Sequence, residues 1–291
     1  MGRLILSLFL CAATCSAQQQ NDLILIKGGK VTIGNLEQPD AQPLFDMHVS
    51  DFRMQRHEVT NAQFSDFVTK TGYSTRAERN GGSYVFDPSL RNDSTTLIDA
   101  PWWRFEQGAN WQHPEGMGSS VAGKEHHPVV HIAYEDACNY CEWLGMRLPT
   151  EVEWEYAAKK NGNEVLKNIW QGSFPEYNSA EDGFTGTAPV GSFGIRKLGL
   201  FDLQGNVWEW CLDPYHQQAY SFAKKWKVDS SQPLVPNYFD EQSPHEETRV
   251  IRGGSFLCAE NYCKGYEPTR RMRSSVNMTF SHIGFRCVKG K

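Results

Sequence analysis

Two thiols, Cys258 and Cys263, stand five positions apart directly after the pair Gly253-Gly254. Five extended residues would separate their α-carbons by about 16–18 Å. The odd spacing would also place the two side chains on opposite faces of a strand. Paired glycines permit a turn that residues with a β-carbon resist. If the two thiols act together the chain must therefore bend between them, and the segment is predicted to be a loop.

A bent cysteine pair suits a disulfide, half of a zinc site, or a two-thiolate cradle for a soft ion such as Cu(I), and spacing alone favours the disulfide. A four-cysteine zinc site that includes Cys138 and Cys141 is a weaker alternative, because that pair lies in a predicted helix without the usual knuckle glycine. His127 and His131 are interpreted as core or hydrogen-bonded histidines, since Pro128 argues against a helix that would present both.

The composition limits the possible fold classes and binding partners. The 291 residues, 40% hydrophobic and 12% aromatic, can bury a sizeable core, and the lack of repeats or linkers favours a single domain. A net charge of -5 and a pI of about 6.0 give no reason to expect nucleic acid or an anionic membrane as a partner. The many tryptophans and glycines predict an irregular, loop-rich structure that is packed by aromatic rings.

The N-terminus has the features of a secretory signal peptide over residues 1–17. Arg3 precedes an apolar run that is too short to span a bilayer, and Cys15-Ser-Ala17 offers a small-x-small cleavage site. We expect cleavage after Ala17 and an exported protein, periplasmic or secreted, with no membrane span. A lipoprotein acylated at Cys11 or Cys15 is the alternative. In an oxidising compartment the six remaining cysteines would by default form disulfides.

Local patterns predict short elements. Thr60 and Gln63 form a capping box that opens a helix ending at Gly72, and Thr150 with Glu153 opens another. The helix that begins at Thr150 is predicted to end at Ala158. The other predicted elements are two short strands around a Gly-Gly turn within 23–33, a strand over 48–54 and a helix over 133–145.

Three motifs accompany the cysteine pair: Gly205-Asn-Val-Trp-Glu-Trp210, Arg252-Gly-Gly-Ser255 and Gly284-Phe-Arg-Cys287. Together they resemble the active-site core of the formylglycine-generating enzymes, the sulfatase-modifying factors. The resemblance extends from about Ile24 to Cys287. It implies that residues 18–291 form one irregular α+β domain with low regular secondary structure, the formylglycine-generating-enzyme fold, which is distantly related to C-type lectins.

The resemblance also implies a cysteine assignment. Cys141 and Cys287 match the family's structural disulfide, while the positions of a second bridge in animal members are Ala158 and Pro268. Two further cysteines have no counterpart. They could pair, stay buried as small apolar residues or bridge to another chain, and they are Cys138 and Cys211.

The resemblance implies that Cys258 and Cys263 are the reactive pair. The resemblance implies that their thiolates bind Cu(I), that a cysteine in a Cys-x-Pro-x-Arg segment of an unfolded sulfatase joins as a third ligand, and that O2 is the oxidant. Ser255 matches a serine near the reacting sulfur, and Trp208 matches a tryptophan that walls the oxygen pocket. The product would be Cα-formylglycine, and the enzyme is expected to be a monomer.

Two basic residues and three aromatic residues are further candidates. Arg271 and Arg273 could favour thiolate formation, or they could be solvent-facing or paired structurally, and the sequence leaves both readings open. A groove for extended peptide is expected in the loops around three aromatic side chains, Trp103, Trp111 and Tyr266.

Two sets of oxygen donors match the family's structural calcium sites. Side-chain and main-chain oxygens suit a hard ion with six to eight ligands. The first set is Asn168, Ile169, Asp182 and Phe184, and the second is Asp202, Gly205, Val207 and Glu209.

Two other functions remain open. The same fold occurs in noncatalytic binding or assembly modules, including surface and lectin-like proteins, which usually lack the cysteine pair. A different copper oxidase with another protein substrate is the third hypothesis, and the sequence does not separate it from a formylglycine-generating enzyme.

Overall fold

The computed structural model describes residues 22–89, 94–97, 99–163, 166–225 and 228–290. The predicted signal peptide, with its cleavage site at Ala17 and the alternative lipidation at Cys11 or Cys15, lies outside these residues. Across the described ranges, no helix is both long enough and apolar enough to cross a bilayer.

Short elements separated by long loops make up the fold. The strands are β1 (Leu23–Ile26), β2 (Gly29–Ile33), β3 (Phe45–Val49), β4 (Phe52–Gln55), β5 (Gly82–Phe86), β6 (Thr96–Leu97), β7 (Ala100–Gln107), β8 (Trp208–Pro214), β9 (Thr248–Arg252), β10 (Met272–Ser275), β11 (Ile283–Gly284) and β12 (Val288–Gly290). The helices are α1 (Asn61–Thr71), α2 (Arg76–Arg79), α3 (Tyr134–Trp143), α4 (Glu151–Asn161) and α5 (Ala219–Ala223), with a 3-10 turn at Pro39–Ala41.

The capping boxes of α1 and α4 are confirmed. The Thr60 hydroxyl accepts from the Gln63 N–H at 3.3 Å, and the Gln63 amide oxygen accepts from the Thr60 N–H at 2.9 Å. Thr150 and Glu153 make the equivalent pair at 3.1 and 3.0 Å. Helix α1 ends at Gly72, whose φ of 68° lies in the left-handed region that glycine adopts without a Cβ clash.

Two predicted boundaries are wrong. The strand expected over 48–54 is two strands, because the chain turns at Asp51, whose carboxylate accepts the Gly28 N–H at 2.9 Å. Helix α4 continues beyond Ala158 to Asn161, whose amide donates to the Leu200 carbonyl at 3.0 Å. The two strands within 23–33 are confirmed, but β1 pairs with β4 and β2 pairs with β3.

One four-stranded sheet, in the order β10-β9-β8-β11, brings the distant motifs together. Strand β9 pairs antiparallel with β8, which places Arg252 opposite Glu209. Strand β11 pairs parallel with β8, which places Ile283 opposite Trp208. Residues separated by more than 70 positions in the sequence thus become neighbours at one end of β8.

Two apolar cores flank this sheet. The first packs aromatic rings of α1, α3 and β7 against Trp208 and Trp210, and the Trp210 indole donates to the Ile132 carbonyl at 2.9 Å. The second surrounds Trp154 of α4, together with β1, β3, β4 and α5. Both indoles, Trp154 and Trp210, are fully buried.

The structural disulfide between Cys141 and Cys287 is confirmed, with α-carbons 5.9 Å apart. It joins α3 to the segment that leads into β12. At the position of the missing second bridge, the buried Arg252 guanidinium donates to the Pro268 carbonyl at 2.8 Å. A hydrogen bond therefore ties the segment after Cys263 to the sheet.

A buried ionic network joins α4 to β9 and β10. Arg252 donates to Glu155 at 2.6 Å, and Arg271 holds both oxygens of Glu151 at 2.7 and 2.9 Å. Burial opposes ionisation of Glu155, but Arg252 and Lys159 outweigh it and keep the pKa of Glu155 below its usual value. Removing one member would leave an uncompensated charge in the core.

We predict that breaking the structural disulfide with Cys141→Ser and Cys287→Ser lowers the free energy of unfolding by about 4–5 kcal/mol, because it frees a loop of 146 residues in the unfolded chain. Urea titration under oxidising conditions measures the change. Cys138→Ser is the matched control on the same helix and should change stability by less than about 1 kcal/mol. An equal loss in both proteins would contradict this role.

We predict that Glu155→Gln destabilises the protein by about 3–5 kcal/mol at pH 7, because Arg252 loses its closest carboxylate. The depressed pKa of Glu155 means that the wild type loses the same stabilisation as pH falls below the usual value of 4.5, so the difference should shrink in acid. Thermal unfolding across pH tests this. The partly exposed Glu135, which pairs with Arg76 and Arg79, supplies the control, since Glu135→Gln should cost about 0–1 kcal/mol.

Candidate active site

The segment that carries the cysteine pair is a loop, as predicted. After β9 the chain turns through Gly253 and Gly254, with φ of 94° and 73°. A Cβ at Gly254 would lie 2.5 Å from the Tyr266 nitrogen, so the close return of the chain requires glycine there. The bend leaves the α-carbons of Cys258 and Cys263 5.4 Å apart, and the two sulfurs are joined as a disulfide.

A cavity of about 410 Å³ opens beside this loop. All four residues predicted for catalysis line it: Trp208, Ser255, Cys258 and Cys263. Three of them are buried, whereas Cys263 is partly exposed at the cavity surface. The sheet therefore gathers residues from β8, from the loop after β9 and from the β11 edge around one concave site.

Trp208 and Ser255 are held in place by their neighbours. A Cβ at Gly265 would overlap the Trp208 ring and lie 3.1 Å from the Cys258 sulfur, so indole, sulfur and loop backbone are closely packed. The Ser255 hydroxyl accepts from the Leu257 N–H at 3.2 Å. That bond orients its oxygen and leaves the hydroxyl proton available to a second partner.

Aromatic rings form the far wall of the cavity. Tyr262 stacks on Phe174 with ring centroids 4.4 Å apart, and Trp102 meets both rings edge-on. On the inner side, Trp103 stacks on His282 at 4.4 Å. Such an aromatic surface favours contact with apolar groups.

The predicted groove residues are only partly brought together. Trp103 lines the cavity. Trp111 is instead a core residue, packed edge-on against Phe64 with ring centroids 5.4 Å apart, so its placement in the groove is wrong. Tyr266 lies behind the loop under the Lys167 ammonium, which is 4.8 Å from its ring, and it does not contribute to the cavity wall.

The two arginines differ in position. Arg271 is buried beside Glu151, away from the cavity, which is the structural alternative. Arg273 lines the cavity, where it is ion-paired with Asp240 and donates to the Gln242 amide oxygen at 2.6 Å. Only Arg273 is placed to influence charge at the sulfur atoms.

Sequence reasoning missed the residues that complete the wall. They include Phe174 and Tyr262 on the aromatic side and His282 at the base of β11. Tyr262 lies between the two cysteines, and His282 lies just before the Gly284–Cys287 motif. Their closeness in sequence to these motifs could have identified them as residues of the cavity wall. Phe174 comes from a distant loop and carried no such signal.

The first calcium set has an oxygen atom without a partner. The Asn168 amide donates to the Gly186 carbonyl at 2.8 Å and to the Asn206 side chain at 3.1 Å, while its buried Oδ1 accepts no hydrogen bond. The Asp182 carboxylate accepts the N–H groups of Ile169 at 3.3 Å and Phe184 at 2.9 Å. Burial raises the pKa of Asp182. The amide oxygen of Asn168 and the carboxylate of Asp182 are the types of ligand that a hard cation prefers.

The second set is differently arranged. Both Glu209 oxygens accept from Arg286 at 2.7 Å, and one also accepts from the Trp154 indole. Asp202 accepts the Gly191 N–H at 2.6 Å, and burial raises its pKa to about 6. Glu58, which was not predicted, interacts with Asp202 and has a buried oxygen without a hydrogen-bond partner.

Main-chain atoms would have to complete either calcium set. In the described residues, no three His, Cys, Asp or Glu side chains converge as a metal site. A Cβ at Gly205 would press on the Asn168 carbonyl, so this glycine lets the two sets approach each other.

The other cysteines exclude the zinc alternative. Cys141 is bonded to Cys287 and is therefore unavailable to a four-cysteine site. Cys138 and Cys211 are not bonded to each other. Burial raises the pKa of both thiols, and Cys211 is fully buried, as expected for small apolar core residues.

The chain is similar to characterised proteins over most of its length. A family model for the sulfatase-modifying factor enzyme 1-like domain matches residues 11–291. A formylglycine-generating enzyme from Thermomonospora curvata is 40% identical over 292 residues, covering 91% of this chain and 92% of that protein. The mouse formylglycine-generating enzyme is 39% identical, covering 91% and 74%. A bovine protein named inactive C-alpha-formylglycine-generating enzyme 2 is 33% identical, covering 94% and 89%.

Solved structures share the fold. PvdO from Pseudomonas aeruginosa aligns with a TM-score of 0.64 at 22% identity, over 92% of this chain and 94% of that one. CarF aligns with a TM-score of 0.52 at 18% identity, over 93% and 98%. Together with the family match, these structures confirm the predicted fold, a mixed helix and sheet domain with low regular secondary structure.

We predict that, after reduction, Cys263 is alkylated several-fold faster than Cys258, because Cys258 is 1% exposed whereas Cys263 is partly exposed. Peptide mass mapping after timed iodoacetamide pulses measures both rates. The buried Cys211 is the internal reference and should stay unmodified until the protein unfolds. Equal rates for the two loop cysteines would contradict the geometry of the site.

Proposed function

This chain belongs to the sulfatase-modifying factor family, and from that premise we propose that it converts a cysteine in a Cys-x-Pro-x-Arg segment of an unfolded sulfatase to Cα-formylglycine. The observation that carries the proposal is the cysteine pair on the wall of a cavity, flanked by Trp208 and Ser255. A purely structural disulfide would not need a concave, aromatic-lined space beside it.

We propose Cu(I) as the cofactor, held by Cys258 and Cys263 once their disulfide is reduced. Thiolate sulfur is the ligand that Cu(I) prefers, and the short distance between the α-carbons lets both side chains reach one ion. When bound, the metal would supply redox chemistry with O2 next to the substrate sulfur. Burial of Cys258 and the packed Trp208 ring would keep bulk water from that position.

The protein's own groups have separate tasks in this proposal. The Ser255 hydroxyl donates a hydrogen bond to a polar group in the cavity while its oxygen stays tied to the Leu257 N–H. The rings of Tyr262, Phe174 and Trp102 bind apolar parts of the extended peptide. Arg273 adds positive charge at the cavity wall, partly offset by Asp240.

The electron balance defines what the assay must contain. Conversion of a cysteine side chain to an aldehyde, with release of hydrogen sulfide, removes two electrons, whereas reduction of O2 to water takes up four. Two external thiol groups therefore supply the other two electrons and are joined as a disulfide. The same thiols would open the bond between Cys258 and Cys263.

Calcium is proposed as a structural ion. The unpartnered oxygen of Asn168 and the adjacent Asp182 carboxylate support the first site. At the second site Glu209 is already engaged by Arg286, so Asp202 and Glu58 would contribute the carboxylate charge. An exported location is proposed as well, because the disulfide between Cys141 and Cys287 is stable in an oxidising compartment.

The activity test uses the purified protein loaded with Cu(I), a Cys-x-Pro-x-Arg peptide, air and a dithiol reductant. We expect the peptide mass to fall by the difference between a –CH2SH and a –CHO group, and the product to react with a hydrazide. Copper omission and Cys263→Ser should each abolish the conversion, while Cys138→Ser should retain it. A folded, copper-loaded wild type that leaves the peptide unchanged would favour a noncatalytic binding module or an oxidase with another substrate.

We predict that saturating Ca²⁺ raises the melting temperature, since a ligand at 100 times its Kd stabilises by about 2.7 kcal/mol. Asn168→Ala should lose the part of this increment that the first site supplies, because it removes the unpartnered oxygen. Calorimetry with and without Ca²⁺ separates the increment from any loss of basal stability. The exposed Asn139→Ala is the control and should keep the increment; an unchanged response in Asn168→Ala would rule out the first site.

A further inference from the structure

His282 lies in the wall of the catalytic cavity but has no place in the chemistry described above. Its side chain lines the same cavity as Cys258 and Cys263. Its main-chain carbonyl accepts the Trp208 N–H at 2.9 Å, which fixes the residue to the first position of β8. Position and backbone contact therefore connect His282 directly with the site.

Aromatic neighbours determine the orientation of the imidazole. Its ring stacks on Trp103 with centroids 4.4 Å apart and an interplanar angle of 21°. Phe280 meets it edge-on at 5.6 Å. Burial, with a smaller contribution from His131, lowers the pKa of His282 to about 3, so the ring is neutral throughout the physiological range.

The hydrogen-bonding capacity of this imidazole is not fully used. Its buried Nδ1 has no hydrogen-bond partner in the described part of the chain. A buried polar atom without a hydrogen-bond partner has lost its bonds to water without replacement, which destabilises the folded protein. A partner that arrives with a ligand would recover that energy.

A neighbouring histidine shows what a structural role looks like in this core. The Nδ1 of His131 lies 2.6 Å from the Ser83 hydroxyl, and its Nε2 lies 2.8 Å from the Pro114 carbonyl. Both nitrogens of His131 are thus satisfied within the protein. The His282 side chain is partly exposed at the cavity, and its Nδ1 lacks the partner that the same nitrogen of His131 has.

We propose that His282 is a positioning residue for the protein substrate, and that its neutral imidazole hydrogen-bonds a main-chain group of the peptide next to the reacting cysteine. The inference rests on the proposed function, because it takes the peptide to be the ligand of this cavity. Main-chain amides are present in every substrate sequence, so such a contact would orient the cysteine without selecting its neighbours. A neutral imidazole with so low a pKa is a poor proton acceptor, which argues against a role as general base.

The test compares His282→Phe with His282→Asn. Phenylalanine keeps an aromatic ring for Trp103 but has no hydrogen-bonding group, whereas asparagine keeps polar atoms near the Nδ1 position and loses the stacking. One neutral hydrogen bond corresponds to about a three- to tenfold change in affinity. We expect His282→Phe to raise KM by that factor with little change in kcat, and His282→Asn to restore part of the loss.

Binding without turnover provides the second measurement. The probe is a Ser-x-Pro-x-Arg peptide, in which serine replaces the reacting cysteine, and a series of its analogues with one main-chain amide at a time replaced by an ester. Wild type should lose affinity for one particular ester analogue, and His282→Phe should bind that analogue and the parent peptide equally. Unchanged melting temperature and unchanged alkylation of Cys263 would establish that the variant is folded.

The outcomes separate the two proposals. Parent-peptide affinity and KM of His282→Phe equal to wild type, or the same ester effects in both proteins, would overturn the role of His282. If wild type binds the serine peptide but does not convert its cysteine counterpart, the proposed oxidation fails while the His282 comparison still decides the inference. If wild type does not bind the peptide, both proposals are overturned.

Discussion

The buried ion pair between Glu209 and Arg286 is the interaction on which the site depends. Two hydrogen bonds of 2.7 Å join them, and Arg286 also donates to the Phe201 carbonyl at 2.9 Å. The pair ties β8 to the segment after β11, between Trp208 on one side and the Cys141–Cys287 disulfide on the other. Because both charges are fully buried, each is tolerated only in the presence of its partner.

The elements that form the cavity extend from this ion pair. Strand β8 presents Trp208, the adjacent β9 leads into the Gly253-Gly254 turn, and the turn brings the cysteines back against the indole. The network of Arg252, Glu155 and Glu151 fixes β9 to α4 from behind. The segment that carries the two cysteines has little regular structure, so its shape depends on these rigid supports and on close glycine contacts.

The structural features that the sequence predicted correctly are those that depend on neighbouring residues. The capping boxes of α1 and α4, the bend between Cys258 and Cys263 and the short strands of the N-terminal segment depend on neighbouring residues, and each is present. The predicted ends of strands and helices were wrong where a residue distant in sequence makes a hydrogen bond. Asp51 accepts the Gly28 N–H where the predicted strand is divided, and Asn161 donates to the Leu200 carbonyl at the end of α4. Trp111 could not be told from a groove residue because burial depends on which side chains meet it.

The sequence by itself determined which chemical groups are available: two thiols in a segment that bends, with a serine and a tryptophan in the motifs that accompany them. Only the tertiary structure decided where that chemistry lies. Arg271 and Arg273 are residues of the same type and lie close together in the sequence. Arg271 nevertheless neutralises Glu151 in the core, whereas Arg273 faces the cavity. His282 and Phe174 joined the wall because strand pairing and loop packing bring together residues that no local pattern relates.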